Sequence, residues 1–382
     1  MKTKISALLM TMAMCTLVFT ACKKHDHSPQ CDDNDKTVTT SKVFATGLNN
    51  PRGLKFGPDG NLYVAEGGIG GTNSSVGQCT QVPATGPGPL TGSDSGSRIS
   101  KIDWQGNRTT FVNYLPSSQT NAATGHGVTG MADVAFIGNT LYGLIGGGGC
   151  SHGVPKIPNG IAQAGANGSW TLAANYSKYL LAHPGVNYEP DDYTPDGNPW
   201  NMITVKNDFY LVEANTGVLD KISSEGTVSR VVDISATQGH IVPTALTHHD
   251  GFFYVGNLGI FPIKVGSSKV FQVMHDGQIS VYASGFTTIV GLAFDNSGRL
   301  YVLELSEGPG GPTPNLGKII RVDKLGNRQV IASGLNFPTA MTFGPDGKLY
   351  VSASGIGAPG TGQVLQIGFK CELVLGDINI DI

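Results

Sequence analysis

Six short apolar runs punctuate this chain, each built around a tyrosine and most entered through a glycine-containing turn. They are Leu62-Tyr63-Val64, Leu141-Tyr142-Gly143, Phe209-Tyr210-Leu211, Phe253-Tyr254-Val255, Leu300-Tyr301-Val302 and Leu349-Tyr350-Val351. The tyrosines stand 79, 68, 44, 47 and 49 residues apart. Strand-type patterning that recurs near every 45 residues has the period of a propeller blade, so the pattern predicts an all-β fold, a six-bladed β-propeller. In the first blade, residues 52–56 lead into Gly57-Pro58-Asp59-Gly60, the chain returns along 61–66, and strands at 98–103 and 108–114 follow. Proline presets φ in such a turn and glycine supplies the positive φ of a tight hairpin. In the fifth blade, residues 290–294, 299–303, 317–323 and 328–332 fill the same slots.

The two ends of the folded region repeat each other. Val43-Phe44-Ala45-Thr46-Gly47-Leu48 matches Val330-Ile331-Ala332-Ser333-Gly334-Leu335, and Gly-Pro-Asp-Gly follows both at the same offset of 287 residues. Blade six has three strands of its own, so the N-terminal strand is predicted to supply its fourth and bury two open edges. Blades one and two carry Gly/Pro-rich inserts at 67–97 and 146–160, and long loops on a rigid scaffold are where binding concentrates. A short helix is expected at 176–182, with Asn175 as its N-cap.

Lys2, Lys4 and an apolar run at 5–19 form an export signal, too short to span a bilayer. Phe19-Thr20-Ala21-Cys22 resembles a bacterial lipobox, with Phe19 where leucine is usual. Lys23-Lys24-His25-Asp26-His27 resembles the start of Bacteroidetes surface lipoproteins. The resemblance implies a signal peptide at 1–21, lipidation of Cys22, and a place on the outer membrane or cell surface of a Gram-negative bacterium. Periplasmic or secreted export is the alternative. Residues 22–40 read as a flexible tether and 41–382 as the propeller.

Glycine and proline together make 54 + 21 = 75 of 382 residues, below the level of low-complexity disorder. Net charge is −3, and −5 once residues 1–21 take two lysines away (23 − 28). No basic stripe forms, which argues against nucleic acid as a partner. Of six cysteines, Cys15 leaves with the signal and Cys22 takes the lipid. Cys31, Cys79, Cys150 and Cys371 remain in an oxidising compartment, with three possible pairings. The repeat favours Cys79–Cys150, both in inserts of adjacent blades, and Cys31–Cys371, which flank the closing strand and its partner.

Three residues after the tyrosines come Glu66, Ile145, Glu213, Asn257, Glu304 and Ala353. Three carboxylates and an amide thus recur at one structural position, expected at the channel mouth on the insert side. Asp133 and Asn201, early in the first strands of blades two and three, are expected to point toward the same mouth, and His126 precedes blade two there. Converging carboxylates need a cation, shifted pKa values or intervening water. Glu66, Glu213, Asn257 and Glu304 are therefore candidate ligands for Ca2+, an oxygen-seeking cation that polarises substrates. A raised-pKa glutamate acting as general base is a second reading, and strand-end capping in a wet channel a third. Gly149-Cys150-Ser151-His152-Gly153 matches a nucleophile-elbow string but lacks the strand-to-helix context that motif requires.

The chain resembles the ScyD/ScyE family of six-bladed NHL-like propellers. The likeness rests on residues 47–54 with 57–66, on Asp196-Gly197-Asn198-Pro199-Trp200, on Val242-Pro243-Thr244-Ala245-Leu246, on Tyr254-Val255-Gly256-Asn257-Leu258 with Phe261-Pro262, and on Tyr282-Ala283-Ser284-Gly285-Phe286-Thr287. It implies an exported propeller and brings no catalytic residues with it. The expected function is a lipid-anchored binding or scaffold module for a small molecule, glycan or protein, touching the membrane by its lipid alone. The alternative is a Ca2+-dependent hydrolase, lactonase or lyase, by analogy with propeller lactonases that use axial Ca2+ ligands.

Overall fold

The computed structural model describes residues 37–84, 87–120 and 127–371. Six four-stranded antiparallel sheets form the ring of a six-bladed β-propeller. Blade one comprises β2 (Pro51–Phe56), β3 (Leu62–Glu66), β4 (Thr91–Ile102) and β5 (Arg108–Gln119). Blade two comprises β6 (Met131–Ile137), β7 (Thr140–Ile145), β8 (Gly160–Ala164) and β9 (Trp170–Asn175). Blade three is β10 (Pro199–Val205), β11 (Asp208–Glu213), β12 (Val218–Ile222) and β13 (Val228–Asp233), and blade four is β14 (Pro243–His249), β15 (Phe252–Asn257), β16 (Ser268–Val273) and β17 (Ile279–Phe286). Blade five is β18 (Ile289–Phe294), β19 (Leu300–Glu304), β20 (Gly317–Val322) and β21 (Arg328–Leu335). Blade six takes β22 (Ala340–Phe343), β23 (Leu349–Ala353) and β24 (Gly362–Cys371) from the C-terminal side and β1 (Thr37–Leu48) from the N-terminal side.

Ring closure follows the sequence repeat: β1 pairs antiparallel with β24 from Thr37↔Cys371 to Leu48↔Gly362. The expected helix is α1 (Tyr176–Ala182), and the Asn175 side chain accepts from Lys178 N as its cap. Blade one departs from expectation. Its third and fourth strands run on past the apolar core into the insert, where Thr91, Gly92 and Ser93 pair with Gln119, Ser118 and Ser117. Threonine, serine and glycine hold this extension by ladder and side-chain hydrogen bonds, Ser97 Oγ to Pro116 O among them, so it carries no apolar alternation to read.

The repeat tyrosines form the joints between blades. Tyr63 packs on Phe136, Tyr142 on Phe209, Tyr210 on Phe253, Tyr254 on Phe294, Tyr301 on Phe343 and Tyr350 on Phe56, with ring centroids 4.5–5.1 Å apart. Each tyrosine thus meets an aromatic ring of the following blade, and the sixth contact returns to the first blade. Five of the six pairs are edge-to-face, the arrangement the ring quadrupoles favour. Tyr63 and Tyr350 also donate their hydroxyls to Asp59 and Asp346 of the Pro-Asp-Gly turns, so one side chain sets both the hairpin and the joint.

Tyr350 is fully buried, whereas Tyr114 is 70% exposed and outside this ring. Tyr350→Ala is expected to lower the unfolding free energy by about 3–5 kcal/mol, the cost of truncating a buried aromatic. Tyr114→Ala should stay within about 0.5 kcal/mol of the parent. Urea denaturation of both variants checks the contrast.

Candidate functional site

The first strand of each blade lies innermost, and the turns entering these strands share one face with the inserts. Asn50, Val242, Thr288 and Phe337 in those turns have left-handed φ of 50°, 55°, 48° and 40°. Such conformations cost non-glycine residues about 1–3 kcal/mol each and persist only where neighbours hold them. Repeated polar residues at the ends of the second strands bind the entry turns of blades one, three, four and five, while blade six has Ala353 at that position. Glu66 accepts from Asn49 N at 2.6 Å, Glu213 from Asn198 N at 2.7 Å and Glu304 from Thr287 N at 2.9 Å, while Asn257 donates to Ile241 O at 3.0 Å.

The remaining capacity of these side chains is also used within their own blades. Glu66 is paired with Arg98 at 2.8 Å and accepts from Ser100. Glu213 takes three more donors from Asn215 N, Thr216 N and Thr216 Oγ1. Asn257 accepts from Lys269 N. Glu304 Oε2, which has no hydrogen bond, faces Lys318 Nζ at 3.4 Å, and burial raises the pKa of this carboxyl. All four are essentially buried. They are spread over four blades, and among the described residues no three His, Cys, Asp or Glu side chains are gathered as a metal ion requires. The candidate ligand set for Ca2+ therefore does not fit the ion: its oxygens already cap backbone or face cations.

Asp133 and Asn201 do come together. Asn201 Nδ2 and Met202 N both donate to Asp133 Oδ2, and Asn201 Oδ1 accepts from Leu246 N, so three innermost strands are stitched in sequence. Burial raises the Asp133 pKa. Gly53 of blade one lies so close that a Cβ there would stand 1.8 Å from Asp133 Oδ1. The insert-side end of the axis holds Arg52, buried over the Trp200 ring at 5.5 Å and donating to Gly355 O at 2.7 Å and Val128 O at 2.6 Å. Burial lowers its pKa to about 10. A guanidinium stacked over an indole thus stands at this end of the axis. Asn50-Pro51-Arg52 and Asn198-Pro199-Trp200 occupy equivalent positions, the one sequence signal that could have found this pair.

The two inserts are joined by the Cys79–Cys150 disulfide, one of the two expected. Cys22, Cys31 and His126 lie outside the described residues, and Cys371 ends β24. The elbow-like string is a three-residue helical turn, not a strand-to-helix elbow. Ser151 N and Oγ both donate to Asp196 Oδ2 at 2.8 Å, and His152 bonds Ser118 Oγ and Gly197 O, all in the interior. This polar knot locks the second insert onto blade three. Between the inserts lies a cavity of about 330 Å3 lined by Asn73, Ser74, Asp94, Gly153, Pro155 and Lys156.

A second polar cluster, which the sequence reading missed, sits where the blade-three entry loop meets the blade-four entry turn. Asp192 is raised from 3.8 to about 6, first by burial and then by Glu189, Glu213 and Asp191. His240 has both ring nitrogens buried without a hydrogen bond and is held neutral by burial, against the pull of Glu189 and Glu213. Tyr188 stacks on Tyr193 at 4.1 Å beside them. Glu213 is the one repeated acid that belongs to this cluster. Glu189-Pro190-Asp191-Asp192 in an irregular loop was the available signal.

No family model and no curated protein sequence matches the chain. Solved structures show the fold. A Bacteroides thetaiotaomicron protein of unknown function superposes with a TM-score of 0.55 at 10% identity, covering 88% of this chain and 77% of that one. A gluconolactonase from Xanthomonas campestris gives 0.53 at 9% identity, covering 87% and 90%. The chain is similar to both as a six-bladed propeller.

Glu66→Gln is expected to cost about 2–3 kcal/mol, because Arg98 loses its counter-ion and Asn49 N a charged acceptor; equilibrium unfolding measures it. Asp192 gives a pH signature. Its folded pKa lies above the unfolded value, so its contribution is most favourable in acid and is lost as pH rises through about 6. Asp192→Asn should raise the melting midpoint at pH 8 relative to the parent, with the advantage vanishing below pH 4, in melts across that range.

Proposed function

We propose that this chain is an exported, lipid-anchored propeller of the ScyD/ScyE type that binds a polar ligand, a small molecule or glycan, on its insert-bearing face. The observation that carries the reading is the disulfide-joined pair of inserts, which frames a polar cavity with one cation, one carboxylate and amide and hydroxyl groups. Rigid placement of adaptable polar groups is what selective binding of a hydroxyl-rich ligand requires. A disulfide between inserts also supports residence in an oxidising compartment, in keeping with the leader and Cys22. The repeated acids are engaged elsewhere, which favours binding over chemistry at the channel mouth.

A second reading, a hydrolase or lyase, is favoured by Asp192 and His240. A carboxyl with a pKa near 6 is suited to moving a proton at neutral pH, and a neutral imidazole with unpaired nitrogens feels the same Glu189 and Glu213. In this reading Asp192 removes or returns the proton while Tyr188 and Tyr193 offer an apolar wall.

Thermal-shift screening of the intact protein against neutral and acidic monosaccharides and disaccharides tests the first reading. A ligand that raises the midpoint for the parent but not for Asp94→Asn/Lys156→Ala supports binding between the inserts. Turnover of gluconolactone that Asp192→Asn abolishes, with no such ligand found, would put the enzyme reading in its place.

A further inference from the structure

The opposite end of the axis is built differently. There the last residues of β2, β6, β10 and β14 surround an open cavity of about 370 Å3 lined by Lys55, Phe56, Phe136, Thr204, Thr247 and His248, with Ala135 and Ile203 behind them. No acidic side chain lines it. Lys55 forms no ion pair among the described residues. The carboxylate acting on it is Asp133, whose oxygens already accept from Val134 N, Met202 N and Asn201. His248 Nε2 is buried without a hydrogen-bond partner, and its ring lies 5.8 Å from His275 and 5.2 Å from Phe253. Phe56 and Phe136 are held edge-on by the interblade tyrosines, and Trp104 stacks on Phe56 at 5.6 Å.

We propose that this cavity is a second ligand site, on the face away from the inserts, for a small carboxylate with a flat apolar body. Lys55 supplies the cation and Thr247 a hydroxyl, and the two phenylalanines that line the cavity meet the apolar portion. A cation without an ion pair, on the wall of a cavity lined by no acidic group, favours an anion there. The aromatic walls select against compact inorganic anions, which carry no surface to cover them. The blade-joining tyrosines fix these walls in place before any ligand arrives, which lowers the ordering cost of binding.

The test is isothermal titration of the intact protein with sodium benzoate, and with benzyl alcohol as the uncharged counterpart. Saturable benzoate binding in the millimolar range or below is expected, with little heat from benzyl alcohol. Lys55→Met should weaken benzoate at least about tenfold, the scale of one charge-assisted contact. Thr247→Val should weaken it several-fold, with unchanged circular-dichroism melts in both variants. Lys156→Ala, in the cavity between the inserts, should leave benzoate affinity unaltered. Absence of saturable binding overturns the proposal. So does benzoate binding that survives both Lys55→Met and Thr247→Val, or that Lys156→Ala abolishes.

Discussion

The joint between blades is one aromatic contact used six times. A tyrosine in the middle of each second strand meets a ring of the next blade, and Tyr350 closes the circle on Phe56. Each contact adds about 0.5–1.5 kcal/mol beyond the area it buries, but its larger effect is geometric. It fixes how neighbouring sheets sit against one another. At the closing seam Tyr350 meets both Phe56 of the first blade and Phe44 of β1, at 4.9 and 5.1 Å, so the β1–β24 ladder and the last joint share one side chain.

With the blades so fixed, the chain must climb from each outer strand to the next inner strand through a tight left-handed turn. The buried glutamates and Asn257 answer that need, and their chemistry follows from it. A carboxylate such as Glu66, which accepts from Asn49 N, Ser100 and the third-strand Arg98, has its oxygens engaged within the fold and has little left to offer a substrate. The axis carries Arg52 over Trp200 at one end and is stitched by Asp133 and Asn201 below. Open polar chemistry is displaced outward, to the joined inserts and to the loop cluster of Asp192 and His240, and downward, to the far end of the axis.

Much of the architecture was legible because it is written locally and repeatedly. Tyrosine spacing, Pro-Asp-Gly turns, the duplicated strand at 43–48 and the Asn175 cap each depend on residues close in sequence. The polar extension of β4 and β5 was not legible, because Thr91–Ser93 and Ser117–Gln119 are held by hydrogen bonds that leave no apolar alternation. Periodicity placed Glu66, Glu213, Asn257 and Glu304 correctly at equivalent strand ends. It gave no information on their partners, which are backbone groups of the preceding turn and third-strand cations. Asp192 and His240 lie 48 residues apart in irregular loops, and only the folded chain places both in the field of Glu189 and Glu213.

The most direct test is thermal unfolding of the intact protein in EDTA and then in millimolar Ca2+, for the parent and for Glu213→Gln. Clamping glutamates predict the same midpoint with and without Ca2+, and a Glu213→Gln midpoint lowered by the same amount in both. A clear Ca2+-dependent rise in the parent that Glu213→Gln abolishes would contradict the account and make the repeated acids a metal site, since an ion at a hundredfold excess over its Kd adds about 2.7 kcal/mol to the folded state.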